Sequence, residues 1–257
     1  MIVTTSYGAS PELLERAERI AVQLQGRWIP RGRASLPALR RKYAESSLLL
    51  VTKEEIRYYV EEQPPIFFHP SMAAVRVKRL LRGEQDALLE LSGVQPGDSV
   101  LDCTAGLASD SIVFSFAVGA EGRVTALESE AILAFIIREG LSVYNSDIPG
   151  LNEAMRRIEV KRADHLNYLR EQETRSVDVI YFDPMFRHPI EESSSISPLR
   201  SAANSDALTL EVIGHARRVA AKSIVLKEHS DSKEFERLGF DTVLRSNTKT
   251  TYGVMRL

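Results

Sequence analysis

From Ser99 onward the chain repeats one pattern, a short apolar strand, a polar turn and a helix, and an acid follows each of four successive strands. The strand over 99–102 ends at Asp102, that over 123–127 at Glu128, that over 158–161 near Asp164, and that over 177–182 at Asp183. A fifth, over 223–226, ends at Lys227. Strands alternating with helices imply a mostly parallel sheet with right-handed crossovers, a doubly wound α/β fold. Two more strands near 240–244 and 251–255, separated by Ser246-Asn247-Thr248, are close enough to pair as an antiparallel hairpin. Open α/β sheets bind ligands outside the carboxyl ends of their strands, so the four acids stand where a ligand would lie. An acid at such a turn also serves as a helix N-cap, and for Asp164 both readings stay open.

The earlier part of the chain is organised differently. Residues 2–5 predict a strand, Ser10-Pro11 opens a helix running to about Gln25, and 48–52 and 56–60 predict two strands around Lys53-Glu54-Glu55. Residues 1–65 are therefore expected to form a small α+β cap, and 66–257 the main domain, with Ile66–His69 as a link bracketed by prolines. Between Arg27 and Lys42 lie six basic residues and no acid. In the helix opened by Ser71, Val77, Leu80 and Leu81 fall on one side and Arg76, Lys78, Arg79 and Arg82 on the other. Both basic segments read either as phosphate contacts or as solvated faces.

A formal net charge of -2 gives no overall attraction to nucleic acid or membrane, so a local patch has to carry any such role. Cys103 is the single cysteine and no intrachain disulfide can form; a cytoplasmic location is expected. The charged first 20 residues do not read as a signal peptide, and the longest apolar stretches fall short of the roughly 18 residues that span a bilayer. The five histidines lack metal-ligand spacing, so no metal is expected.

The turn Asp102-Cys103-Thr104-Ala105-Gly106 follows the first sheet strand, and Glu128 comes 22 residues after Gly106 at the end of the next. That spacing suits a carboxylate that accepts both hydroxyls of a ribose. The turn has fewer glycines than a pyrophosphate fingerprint, so a nucleoside without phosphates fits better. S-adenosylmethionine is such a ligand, with Asp102 near its ammonium, Glu128 on its ribose and Asp164 near its adenine amine. At the far side of the sheet, Asp183-Pro184-Met185-Phe186 offers carboxylate and carbonyl acceptors and an aromatic face, which suits an aromatic amine as methyl acceptor.

These residues carry a resemblance. The four strand-end acids look like the motif series of class I methyltransferases. More narrowly, Asp102-x-Thr104-Ala105-Gly106-Leu107-Ala108-x-Asp110, Asp183-Pro184-Met185-Phe186 and Val225-Leu226-Lys227 resemble the bacterial small-subunit rRNA (guanine-N2) methyltransferase family, over roughly residues 68–257. The resemblance implies a Rossmann-like methyltransferase sheet, mostly parallel with a C-terminal antiparallel hairpin, behind the N-terminal α+β cap. It implies cofactor contacts from Asp102, Thr104, Ala105, Gly106, Asp110, Glu128 and Asp164, and catalytic roles for Asp183, Pro184, Phe186 and Lys227. It implies RNA as partner, ribosomal RNA or the small subunit, met by Arg76, Arg79, Arg187, His188 and Arg200. That family usually has a glycine where this chain has Ala108, and a strongly basic loop where this chain reads Arg187-His188-Pro189-Ile190-Glu191-Glu192. An N-methyltransferase of small molecules or protein amides, and a cofactor-binding assembly factor without turnover, are the other two readings.

Overall fold

Serine side chains start the first two helices. Ser10 accepts the Leu13 amide at 3.4 Å and begins α1 (Pro11–Gln23); Ser35 accepts the Ala38 amide at 3.3 Å and begins α2 (Leu36–Tyr43). Each has a proline in its first turn, where a missing N–H leaves no bond unmade. The computed structural model describes residues 1–61, 63–184, 208–240, 242–244 and 250–257. The N-terminal strands are β1 (Ile2–Thr5), β2 (Arg27–Trp28), β3 (Ser47–Val51), β4 (Ile56–Val60) and β5 (Ile66–Phe67), joined in the order β2-β1-β3-β4-β5. Ile66 and Phe67, read from the sequence as a link, are the edge strand of this sheet, paired with Tyr58 and Arg57. Side chains alternate between its faces. Val3, Leu49 and Val51 join α1 in the main core, while Ile2 and Leu48 pack with Ile29 and Leu39 on the other side.

Two helices, α3 (Ser71–Leu81) and α4 (Ala87–Ser92), lead into the second sheet. Its strands are β6 (Ser99–Asp102), β7 (Arg123–Glu128), β8 (Glu159–Arg162), β9 (Val177–Phe182), β10 (Ala220–His229), β11 (Thr242–Leu244) and β12 (Thr250–Arg256). Between them run α5 (Ser109–Val118), α6 (Ala131–Val143), α7 (Leu151–Arg157), α8 (His165–Glu171), α9 (Leu210–Val219) and α10 (Glu234–Leu238). The strand order is β11-β12-β10-β9-β6-β7-β8. The five strands β8, β7, β6, β9 and β10 are parallel, as the alternation predicts, and β12 runs antiparallel to both β10 and β11. The expected hairpin therefore forms, and its second strand lies inside the sheet. Pairing with β12 as far as His229↔Thr250 extends β10 past the expected 223–226, so Lys227 lies within a strand. The chain leaves β6 toward β7 and β8 and returns on its other side at β9, which makes β6/β9 the switch point of the sheet.

The two sheets meet at α6. Phe68 lies directly on the backbone of Gly140, where an added Cβ would overlap its ring, and packs edge-on against Tyr144 at 6.0 Å. Arg16 of α1 bonds Glu139 at 2.8 Å beside it. Among the described residues no helix is long and apolar enough to cross a membrane. Gly140→Ala should displace Phe68 and destabilise the chain by about 1–3 kcal/mol, the usual cost of overpacking. Chemical denaturation that finds the variant as stable as the parent would count against this joint.

Candidate active site

Strand register builds the site. Asp102 of β6 is opposite Tyr181 of β9, and Leu226 of β10 is opposite Phe182. One residue further on, Asp183 and Lys227 emerge side by side at the switch point. Lys227 Nζ lies 2.7 Å from Asp183 Oδ2 and 3.2 Å from Oδ2 of Asp110, which stands in the first turn of α5. The Tyr181 hydroxyl donates to the same Asp110 oxygen at 2.7 Å. Arg76 of α3 pairs with Asp110 Oδ1 and grips Asp86, the N-cap of α4, with two bonds of 2.7 and 2.8 Å. Charges thus alternate along Asp86, Arg76, Asp110, Lys227 and Asp183. The register explains why: Tyr181, Asp183, Lys227 and Tyr252 alternate onto one face of the sheet, the face that α5 covers.

Burial alone would raise the pKa of Asp110, but Lys227 and Arg76 hold it well below the usual carboxylate range. Burial likewise opposes the charge on Lys227, and Asp183 and Asp110 outweigh it, pushing the ammonium well above an ordinary lysine. Asp183 goes the other way. Burial, helped by Asp110, raises it despite Lys227. Tyr252, paired with Lys227 in the ladder, is pushed up to about 12 by burial and by Asp110.

The loop after β6 is held from below. Asp102 is 1% exposed; its Oδ1 accepts the Thr104 amide at 3.0 Å and its Oδ2 the Ser111 hydroxyl. Thr104 Oγ1 in turn accepts the Asp183 amide, which stitches this loop to the end of β9. The Ala105 amide donates to Leu127 O at 3.0 Å. Gly106 has φ +53°, and a Cβ there would meet nothing nearer than Thr104 O at 4.0 Å, so the outer side of the turn is open. Ala108 has φ +61°, a left-handed conformation that favours glycine, and its methyl is fully buried. One strand over, Glu128 is 7% exposed, with Oε1 accepting the Glu130 amide at 2.9 Å, and burial raises its pKa.

The structure brings Asp102, Thr104, Ala105, Gly106, Asp110, Asp183 and Lys227 to one edge, with Pro184 directly after Asp183 and Glu128 at the end of neighbouring β7. Asp102 has one oxygen engaged by its loop and the other by Ser111 of α5, so it shapes the turn that a ligand would meet. Asp164 accepts the Asn167 amide at 2.9 Å as the N-cap of α8. The expected basic face of α3 is not continuous: Arg76 turns inward to Asp86 and Asp110, because its place beside Ala73, Val77 and Leu80 lies on the buried side of the helix. Arg79 is exposed and paired with Glu84 at 2.7 Å. Met185, Phe186, Arg187, His188 and Arg200 lie outside the described residues. Tyr181, Tyr252, Ser111 and Asp86 were not read from the sequence. Tyr181 carried a usable signal, two residues before Asp183 in one strand and hence on its face.

Residues 34–250 match a family model described as "Putative SAM-dependent methyltransferase". The chain belongs to this family of enzymes, and its cofactor is S-adenosylmethionine. A turn open above Gly106, with a buried carboxylate at the next strand end, fits such a nucleoside. The chain is 40% identical over 255 residues, 99% of each chain, to the uncharacterized protein YpiP of Bacillus subtilis (strain 168). Ribosomal RNA small subunit methyltransferase J of Laribacter hongkongensis (strain HLHK9) is 30% identical over 131 residues, 50% of this chain and 45% of that protein. The match thus spans less than half of that relative. The SAM-dependent methyltransferase NGO1261 from Neisseria gonorrhoeae shares the fold, with a TM-score of 0.67 at 16% identity over 100% of this chain and 96% of that one.

Burial raises Asp102 from the ordinary carboxylate value of 3.8 to about 7. Between those values the folded state binds more protons than the unfolded, so this group's contribution to stability falls as pH rises and levels off above about 7. Asp102→Asn removes the titration and keeps an acceptor for the Thr104 amide. Its stability relative to the parent should rise with pH across this window, by at most about 1.4 kcal/mol per pH unit. Urea unfolding at several pH values between 4 and 8 measures it; a difference that does not change with pH would contradict the shift.

Proposed function

We propose that the enzyme methylates an exocyclic amine of an RNA base, guanine N2 of small-subunit ribosomal RNA before others. The observation that carries this reading is the Asp183-Pro184 end of β9, bonded to the cofactor loop through Thr104 and to Lys227 through its carboxylate. The part-chain likeness to a small-subunit rRNA methyltransferase supports the substrate class. Bound S-adenosylmethionine supplies an electrophilic methyl group on a sulfonium. Glu128 takes the ribose hydroxyls, the Thr104-Ala105-Gly106 turn lets the backbone come close, Asp102 keeps that turn in place, and Asp164 borders the adenine from the start of α8.

The amine of guanine is a weak nucleophile because its lone pair is delocalised into the ring. Asp183 and the Pro184 carbonyl accept its N–H bonds, favour rehybridisation and offset the positive charge that develops on nitrogen. Lys227 opposes the effect of burial and favours the ionised form of Asp183 for that task. Phe186, three residues after Asp183 in the chain, provides the flat face for an extruded base. Phosphate contacts fall to exposed basic residues, Lys78, Arg79 and Arg82 on α3 and Arg33, Arg41 and Lys42 near α2. Arg187, His188 and Arg200 complete the proposed RNA contacts.

Incubation with labelled cofactor and small-subunit RNA from a strain lacking the gene, followed by nucleoside analysis, tests the substrate. N2-methylguanosine is expected with the parent enzyme and none with Asp183→Ala. Label confined to small metabolites would replace RNA by the small-molecule reading. Glu128→Ala should weaken cofactor binding by about 1.5–3 kcal/mol for each charge-assisted bond lost. Calorimetry that returns the parent affinity would remove Glu128 from the site.

A further inference from the structure

Lys227 is shared between two carboxylates, and a shared lysine leans toward the one less neutralised by other charges. Its Nζ lies 2.7 Å from Asp183 and 3.2 Å from Asp110. Asp110 already has the Arg76 guanidinium on its other oxygen and the Tyr181 hydroxyl at 2.7 Å. Arg76 is fixed in turn by its two bonds to Asp86, which also accepts the Leu88 amide at 3.1 Å. We propose that Arg76 and Asp110 are positioning residues for methyl transfer: Arg76 occupies Asp110, so that Lys227 stays on Asp183 and keeps its carboxylate charged for the acceptor N–H. This rests on the reading of Asp183 as the acceptor-binding group.

The groups that act on Asp183 come from every neighbouring element. They are Lys227 and Glu228 of β10, Asp110 of α5, Arg76 of α3, Asp102 of β6, Tyr181 of β9 and Tyr252 of β12. Removing Arg76 leaves Asp110 short of a cation and draws Lys227 away from Asp183. Removing the charge of Asp110 frees Lys227 entirely for Asp183. The two changes therefore move the ionisation of Asp183 in opposite directions, a signature that general loosening of the site does not give.

The test is carboxyl-carbon NMR titration of the full chain labelled at aspartate Cγ, with Asp183 assigned by the signal lost in Asp183→Asn. Arg76→Gln should raise the Asp183 midpoint by about one pH unit and Asp110→Asn should lower it by a similar amount, the size usual for one charge at this range. Arg76→Lys should restore part of the shift. Asp110→Asn is nearly isosteric and keeps an acceptor for Tyr181, so it decides the matter alone if Arg76→Gln does not fold. Shifts of the same sign, or an unmoved midpoint in Asp110→Asn, overturn the positioning role. The pH profile of RNA methylation separates this from the reading beneath it. An acidic limb that persists in Asp183→Asn sinks the role of Asp183 itself; a limb that vanishes there but stays put in Asp110→Asn sinks the positioning pair alone.

Discussion

Lys227 sits between carboxylates from two different elements, and much of the carboxyl edge of the sheet depends on that single cation. Asp110 belongs to the start of α5, Asp183 to the end of β9, and Lys227 to β10, so one ammonium ties a helix to two strands. Arg76 extends the tie to α3 and, through Asp86, to α4. Removing one member of a buried ion pair commonly costs about 3–5 kcal/mol, because the partner stays behind uncompensated. The same alternation that holds the elements together leaves Asp183 partly exposed and facing the switch point. Structural cohesion and the proposed acceptor chemistry thus share one set of charges.

The strand ends of β6, β7 and β8 follow a different logic. There each carboxylate accepts a backbone amide two or three residues on: Asp102 that of Thr104, Glu128 that of Glu130, Asp164 that of Asn167, and Asp102 also accepts the Ser111 hydroxyl. A turn with an open outer side results, and the Thr104 bond to the Asp183 amide ties it to the end of β9. Ala108 shows how this loop tolerates departure from the resembled family. It takes the left-handed conformation that glycine would take there, and packs its methyl in the core instead.

Much of this was legible in the chain. Apolar strands ending in acids gave the parallel sheet, its carboxyl edge and the placement of Glu128 and Asp183, because strand period and strand ends are local properties. Lys227 was legible as a strand-end residue of the same edge, but its direct bond to Asp183 was not, since that depends on the register Leu226↔Phe182 between distant segments. Arg76 was misread as part of an exposed basic run when its helical neighbours Ala73, Val77 and Leu80 already placed it on the buried side. Its partner Asp110 lies 34 residues away, and nothing local announces that pairing. The N-terminal sheet was half legible: its central strands stood out, while Ile66-Phe67 between prolines looked like a link and pairs as an edge.

On the proposed reading, cofactor and acceptor meet at the β6/β9 switch point, with Glu128 on the cofactor side and the Asp183–Lys227 pair on the acceptor side. A crystal structure with S-adenosylhomocysteine bound tests it most directly. The ribose is expected against Glu128, the ligand over the Gly106 turn, and the Asp183–Lys227 pair intact and free of cofactor contacts through Lys227. A ligand whose ribose avoids Glu128, or whose carboxylate takes Lys227 from Asp183, would contradict it.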